Sequence, residues 1–165
     1  MKLCVTYCSW KKRDDILPAD KLYDSKRIDN FIRYCKENSF DWAILSAKYG
    51  LFFPEEKRGP YNVTLKSDKR CWLGIRVEVN REKLPKEESD LRLKELAETV
   101  KIQANKRFVE QVIFYTWSIK QAKCYLTLLH FILDDCSRPH CWSELLECTK
   151  RHGRVRVATQ LEFDP

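Results

Sequence analysis

The sequence lacks the features of an exported or membrane-spanning protein. Along its 165 residues, no apolar run approaches the roughly 18 residues that a membrane-spanning helix needs. The N-terminus leads into KLCVTYC (residues 2–8) with neither a long apolar region nor a cleavage site, so we expect a cytoplasmic protein with no membrane partner. Low-complexity tracts, internal repeats and linkers are also missing, and this length is typical of one domain, residues 1–165.

Histidine is scarce in the chain, whereas cysteine is common. There are three histidines, and none precedes His130, so the first half of the chain has no histidine that could act as a base. There are eight cysteines, but without an export signal we expect a reducing compartment and mostly free thiols.

Acidic residues are outnumbered by basic ones. The chain has 24 Asp and Glu against 31 Lys and Arg, a formal net charge of +7, which favours nucleic acid or a nucleotide as a partner. The stretch KRHGRVR (residues 150–156) could contact phosphates through Lys150, Arg151, Arg154 and Arg156. A charged edge strand that resists aggregation explains the same residues equally well.

The hydrophobic pattern predicts an α/β fold. KLCVTYC and FDWAILS (residues 40–46) are typical of buried strands, and Ser25 or Asp24 could cap a helix between them. The helix would have one apolar stripe, formed by Ile28, Phe31, Ile32 and Cys35. Strand, helix and strand in this order favour a right-handed parallel βαβ unit.

The rest of the chain continues the alternation of strands and helices. We predict a long irregular loop over residues 54–70, a strand over 71–79 that could open with a helical turn, helices over 86–108, 118–135 and 141–152, a strand over 112–116, and an antiparallel edge strand over 154–163. The predicted fold class is α/β: a single domain with a mostly parallel central sheet, flanking helices and an antiparallel edge strand.

Three of the predicted strands end in polar or aromatic residues. If these strands are parallel, their carboxyl ends share one edge of the sheet, where folds of this kind bind ligands. Lysines and hydroxyl groups there could hold a phosphate or a carbonyl, and Tyr49, Tyr61 and Trp117 could stack on a base. The alternative is that these residues are ordinary solvent-facing strand ends, with the tyrosines covering the core.

Four short motifs give the N-terminal part a family resemblance. YCSWKK, LPADKLYDS, LSAKYGL and PYNVTL stand in this order within residues 3–65. The segment resembles the YaaA-like superfamily, named for a peroxide stress-response protein, and in particular its short members. The resemblance implies an α/β fold with a pocket built from these motifs. The motif positions are Cys8, Lys12, Asp20, Tyr23, Ser46, Lys48, Tyr49, Gly50, Pro60, Tyr61 and Thr64.

The resemblance also implies a connection with nucleic acids. Peroxide-stress members of the superfamily are associated with DNA binding and protection from oxidative damage. Related proteins accompany systems that modify nucleic acids with deazaguanine bases, in which a nitrile or amidine is processed. Asn62 stands where the family pattern has Asp, which removes a carboxylate from the loop. If that Asp is a general base or a cation ligand in relatives, the resemblance implies binding without turnover here.

The motif residues allow both catalysis and binding. Cys8 could attack a nitrile or amide carbon, with Lys12 or Lys48 favouring the thiolate, or it could be a buried inert thiol. Ser46 and Lys48 could form a hydrolytic pair or contact a phosphate. The predicted substrate-binding residues are Lys12, Tyr23, Tyr49, Tyr61, Thr64 and Trp117.

A structural zinc site is a further hypothesis for the C-terminal part. Cys148 and His152 are four residues apart on a predicted helix and could bind zinc together with Cys136 and Cys141. The spacing is not a standard one, and these side chains could equally well pack.

Together these observations predict a nucleic-acid-associated protein. Its strand-end pocket would bind a nucleobase or nucleotide, and the protein could hydrolyse a group on a modified base. The alternative is a DNA-binding oxidative-stress protein without enzymatic activity, which would use the basic residues near the C-terminus.

Overall fold

The structure, a computed structural model, describes residues 1–136, 145, 147–148, 150 and 153–159. In chain order its strands and helices are β1 (Lys2–Tyr7), β2 (Leu17–Pro18), α1 (Ala19–Leu22), α2 (Lys26–Glu37), β3 (Trp42–Ser46), β4 (Gly50–Phe52), β5 (Lys57–Arg58), β6 (Val63–Ser67), β7 (Ile75–Val79), β8 (Glu82–Lys83), α3 (Lys86–Lys106), β9 (Gln111–Tyr115), α4 (Lys123–Asp134) and β10 (Val155–Ala158). None of the helices in the described part of the chain is long and apolar enough to cross a membrane.

A five-stranded sheet in the order β10-β9-β1-β3-β4 forms the centre of the fold. β10, β9, β1 and β3 run parallel, and β4 pairs antiparallel with β3. The predicted α/β class, with a mostly parallel sheet and an antiparallel edge strand, is therefore confirmed. The central strands are almost wholly buried, as expected for strands covered on both faces.

Helices cover both faces of this sheet. Ser25 caps α2 as predicted, since its Oγ accepts the Ile28 N–H at 3.3 Å. Phe31 of α2 stacks on Tyr115 with ring centroids 5.9 Å apart. On the opposite face Tyr125 of α4 stacks on Tyr7, which in turn stacks on Phe114. α3 packs against α4 and β4.

The prediction of an irregular loop over residues 54–70 was wrong. Residues Lys57–Arg58 pair with Leu17–Pro18, and Val63–Ser67 form the first strand of an antiparallel sheet in the order β6-β7-β8. Leu65 of β6 and Ile75 and Val77 of β7 are the buried residues of these two strands. The prolines and charges around the strands concealed an alternation only five residues long.

Two predictions near the C-terminus also need correction. Val155–Ala158 lies parallel to β9, so the antiparallel edge strand is β4, at the other edge of the sheet. The helix predicted from Ser118 begins at Lys123, after a turn in which the Ala122 N–H bonds to the Ser118 carbonyl. Residues 137–144 and 160–165, which include parts of the predicted helix and tail, lie outside the described residues.

Candidate functional site

The carboxyl ends of β1, β3 and β9 lie side by side and end in buried polar residues. Cys8 follows β1, and its N–H donates to the Leu45 carbonyl of β3 at 2.9 Å. Ser46 and Thr116 stand at the ends of the two neighbouring strands, and both are fully buried. The carboxyl ends of these strands therefore lie together at one end of the sheet, and we call this region the strand-end site.

Cys8 occupies the centre of this site. Its Sγ lies 3.3 Å from the Tyr125 hydroxyl, and the thiol is 7% exposed. Burial raises the pKa of Tyr125, and the interaction with Cys8 raises it further. Cys8 also interacts electrostatically with Lys12, which belongs to the same YCSWKK motif.

Tyr23 and Tyr61 form a hydrogen-bonded pair beside Cys8. Their hydroxyl oxygens are 2.7 Å apart. Burial raises the pKa of both phenols, and the nearby Cys8 adds to the rise, while a hydrogen bond with Ser46 opposes it. Both groups are therefore neutral near pH 7, and one donates to the other.

Lys12 places its ammonium group over these phenols. Nζ lies 4.2 Å from the Tyr61 ring centroid and 5.8 Å from that of Tyr23, and it donates to the Trp10 carbonyl at 3.2 Å. Burial lowers the pKa of Lys12, and the interaction with Cys8 opposes this. In the described part of the chain no carboxylate lies within salt-bridge distance of Lys12.

Ser46 shapes the turn that carries the LSAKYGL motif. Its Oγ accepts the backbone N–H groups of Lys48 at 3.1 Å and of Tyr49 at 3.0 Å. These bonds join Ser46 and Lys48 through the backbone, while the Lys48 ammonium lies 5.3 Å from the Tyr49 ring centroid. The bonding thus supports a structural role for Ser46 more than a role as nucleophile.

Tyr49 is fixed against the PYNVTL segment and against α3. Its hydroxyl donates to the Gly59 carbonyl at 3.1 Å, and its ring meets that of Tyr61 edge-on at 5.2 Å. Gln103 of α3 donates from Nε2 to the Tyr49 carbonyl at 3.1 Å and accepts the Leu51 N–H through Oε1 at 2.7 Å. No local pattern in the sequence indicates this role of Gln103.

Arg27 is the most important residue that sequence reasoning missed. It lies in the first turn of α2 and is 7% exposed. Nη1 donates to Thr6 Oγ1 at 2.5 Å, Nη2 donates to the Cys8 carbonyl at 3.4 Å, and the guanidinium carbon lies 3.7 Å from the Tyr7 ring centroid. Burial lowers the pKa of Arg27, but a guanidinium stays charged near neutral pH.

The unusual feature of Arg27 is the missing counter-charge. Among the described residues no carboxylate lies within 4 Å of its guanidinium, and the groups that favour its charge are the phenols of Tyr7, Tyr125 and Tyr115 and the thiol of Cys8. A cation in the first turn of a helix also opposes the helix dipole. That position was the one signal in the sequence that could have identified it.

Two predicted substrate-binding residues, Thr64 and Trp117, make no hydrogen bond to Cys8, Lys12 or the Tyr23–Tyr61 pair within the described residues. Thr64 is in β6, opposite Glu78, and in the described part of the chain no hydrogen bond of its side chain reaches these residues. Trp117 follows β9 at the same sheet edge, and its Nε1 donates to the Tyr115 hydroxyl at 2.7 Å.

The basic residues near the C-terminus are not equivalent. Arg154 donates from Nε to the Glu110 carbonyl at 3.0 Å and from Nη2 to the Val109 carbonyl, so its guanidinium holds the main chain in place. Arg154, Arg156 and Lys150 are all exposed, and Arg151 lies outside the described residues.

Two of the four proposed zinc ligands can be located. The sulfur atoms of Cys136 and Cys148 lie 2.9 Å apart. Cys141 and His152 lie outside the described residues, and within those residues no group of three metal-binding side chains occurs.

Comparison with known proteins identifies a family and no function. No curated protein and no solved structure matches the chain. The model of one family matches residues 3–131, a range that contains every residue of the strand-end site described above. The chain belongs to DUF6884, a family of unknown function.

Proposed function

We propose that the protein binds a nucleotide at the strand-end site, with the phosphate held by Arg27 and Lys12. The observation that carries the proposal is Arg27, a guanidinium that is 7% exposed and lacks a carboxylate partner within the described chain. An uncompensated buried charge costs about 3 to 5 kcal/mol of stability. A bound phosphate would offset this cost and would match the forked geometry of the guanidinium.

The ammonium group of Lys12, the second cation, favours a phosphate ligand over a neutral carbonyl ligand. The Lys12 ammonium is partly buried and surrounded by neutral phenols, so it too lacks a counter-charge among the residues described. Two cations lie near Cys8, and among the described residues no carboxylate is within salt-bridge distance of either, which creates a positive potential that favours an anion. The net charge of +7 adds to this field.

The aromatic residues support a base next to the phosphate. Tyr61 and Tyr49 are half-buried, and each presents a ring near Lys12 or Lys48. Stacking on such rings holds a base without much sequence preference. The resemblance of the same motifs to the YaaA-like superfamily and its nucleic-acid context is a further support, and we extend the proposal to a cytoplasmic location.

Hydrolysis of a group on the base stays a prediction. Cys8 contacts the Tyr125 hydroxyl, and His130, the one histidine in the described residues, bonds instead to Asp134 at 2.9 Å. Among the described residues no histidine contacts the Cys8 thiol, and Ser46 accepts two backbone N–H groups. These contacts favour binding over turnover.

The alternative of DNA binding through the C-terminal arginines has weaker support. Arg154 already donates from Nε and Nη2 to two main-chain carbonyls, so only part of its guanidinium is left for a phosphate. Arg154 and Arg156 are both exposed, but two exposed arginines are common on any basic protein surface.

A thermal-shift comparison of matched ligands tests the proposal. Nucleoside monophosphates should raise the melting temperature more than the corresponding nucleosides, because the phosphate reaches Arg27 and Lys12. Lys12→Met should remove the difference. Lys11→Met is the control, because Lys11 is exposed and pairs with Asp24 at 3.1 Å. Equal shifts with nucleosides and nucleotides, or equal effects of the two substitutions, would refute the phosphate assignment.

A further inference from the structure

We propose that the ligand is single-stranded nucleic acid and that Trp10 and Trp117 stack on the bases that flank the bound nucleotide. This inference rests on the proposed nucleotide site. Both tryptophans follow a strand of the parallel sheet at its carboxyl end, one after β1 and one after β9. They are 48% and 44% exposed, which is unusual for the largest apolar side chain.

Trp10 is connected directly to the site. Its carbonyl accepts the Lys12 ammonium, whose Nζ also lies over Tyr61. The guanidinium of Arg81, at the tip of the β7–β8 hairpin, lies 4.5 Å from the Trp10 ring centroid. An exposed ring with a cation beside it offers a base a stacking surface and a phosphate a positive charge.

Trp117 is held by a hydrogen bond that leaves its ring exposed. Its Nε1 donates to the Tyr115 hydroxyl at 2.7 Å, and Tyr115 belongs to the aromatic group around Arg27. A ring fixed in this way loses little conformational freedom when a base stacks on it, which favours binding.

Charge at this edge of the sheet favours a polyanion. Lys48 and Arg81 are exposed there, in addition to the buried Arg27 and the half-buried Lys12. Single strands fit better than duplex DNA, because stacking on an aromatic side chain requires an unpaired or exposed base face.

The amino ends of the central strands, opposite the strand-end site, supply a matched control. Phe40 precedes β3, at the amino end of that strand, and is 43% exposed. It is as accessible as Trp117 but lies at the far end of the sheet from the strand-end site. Phe40→Ala should therefore leave binding unchanged.

The experiment compares a thymidine oligomer of about eight nucleotides with thymidine monophosphate. Trp10→Ala should weaken oligomer binding about tenfold and mononucleotide binding by less than about twofold. The substitution keeps the carbonyl that Lys12 contacts. Trp10→Phe keeps a stacking ring and should restore most of the oligomer affinity. Binding of the oligomer should also quench tryptophan fluorescence, and Trp10→Phe should reduce the quenching.

The outcomes separate this inference from the proposed function. If wild type binds the mononucleotide but Trp10→Ala and Phe40→Ala bind the oligomer equally well, the stacking surface is refuted and the nucleotide site stands. Equal affinity of wild type for duplex and single-stranded DNA of the same length would also refute it. If wild type does not bind the mononucleotide at all, the proposed function fails.

Discussion

Arg27 donates from Nη1 to Thr6 Oγ1 at 2.5 Å, although each side chain is at least nine-tenths buried. Thr6 in turn donates its hydroxyl proton to the Tyr115 carbonyl at 2.8 Å, so its oxygen is free to accept from the guanidinium. Neutral groups thus orient the buried Arg27 guanidinium, and no carboxylate among the described residues forms a salt bridge with it. This arrangement is expected where a ligand brings the negative charge.

Replacing Arg27 should separate stability from binding. Arg27→Met keeps much of the packing volume and removes an unpaired buried charge, so we expect the free energy of unfolding to stay within about 1 kcal/mol of wild type or to rise. Nucleotide affinity should fall at least about tenfold. Urea denaturation and calorimetric titration check the two quantities. A loss of more than about 3 kcal/mol with unchanged affinity would make Arg27 a structural residue.

The Tyr23–Tyr61 hydrogen bond should contribute to stability. Tyr61→Phe leaves the buried Tyr23 hydroxyl without this partner, and we expect the free energy of unfolding to fall by about 1 to 3 kcal/mol. Tyr23→Phe should have a similar cost. Because the double variant loses both polar groups together, its cost should be smaller than the sum of the two. Additive costs would show that the two hydroxyls do not stabilise each other.

Gly50 should tolerate no side chain. Its φ is +74°, and a Cβ there would lie 2.5 Å from Gln103 Oε1, the atom that accepts the Leu51 N–H. We expect Gly50→Ala to lower the free energy of unfolding by about 1 to 3 kcal/mol. Gly59→Ala is the control, since its Cβ would meet only Ile16 Cγ1 at 3.9 Å. Equal melting temperatures for the two variants would contradict the role given to the turn.

The lowered pKa of Lys12 predicts opposite pH effects on binding and stability. As the pH rises from about 7 to about 10, Lys12 loses its proton earlier than an ordinary lysine, so nucleotide affinity should fall. Over the same range Lys12 should increase the stability of the ligand-free protein, because the unfolded chain, with the higher pKa, binds more protons.

Lys12→Arg is the test of that assignment. The arginine keeps its charge throughout this pH range, so the fall in affinity should disappear. In Lys11→Arg, at the exposed neighbouring position, nucleotide affinity should still fall as the pH rises. A fall in affinity that persists in Lys12→Arg would place the titrating group elsewhere.

The sequence predicted the parts of the fold that depend on local hydrophobic pattern. The buried strands, the Ser25-capped helix and the long helix α3 were predicted because their apolar residues repeat with clear periods. The direction of β10 could not be predicted, because alternation shows which residues face the core but not which way a neighbouring strand runs.

The same limit applies to the strand-end site. Cys8, Lys12 and Ser46 could be grouped because parallel strands end at one edge of the sheet. Arg27 and Gln103 reach the site from helices, and their approach depends on helix packing that no local pattern reveals. Thr64 was grouped by motif order alone, and it lies in a strand of the second sheet.

A crystal structure of the protein with a nucleoside monophosphate tests the central claim most directly. The account predicts phosphate oxygens at about 3 Å from the Arg27 guanidinium and from Lys12 Nζ. A nucleotide bound at a different surface, with the guanidinium and the ammonium making no contact to it, would contradict the account.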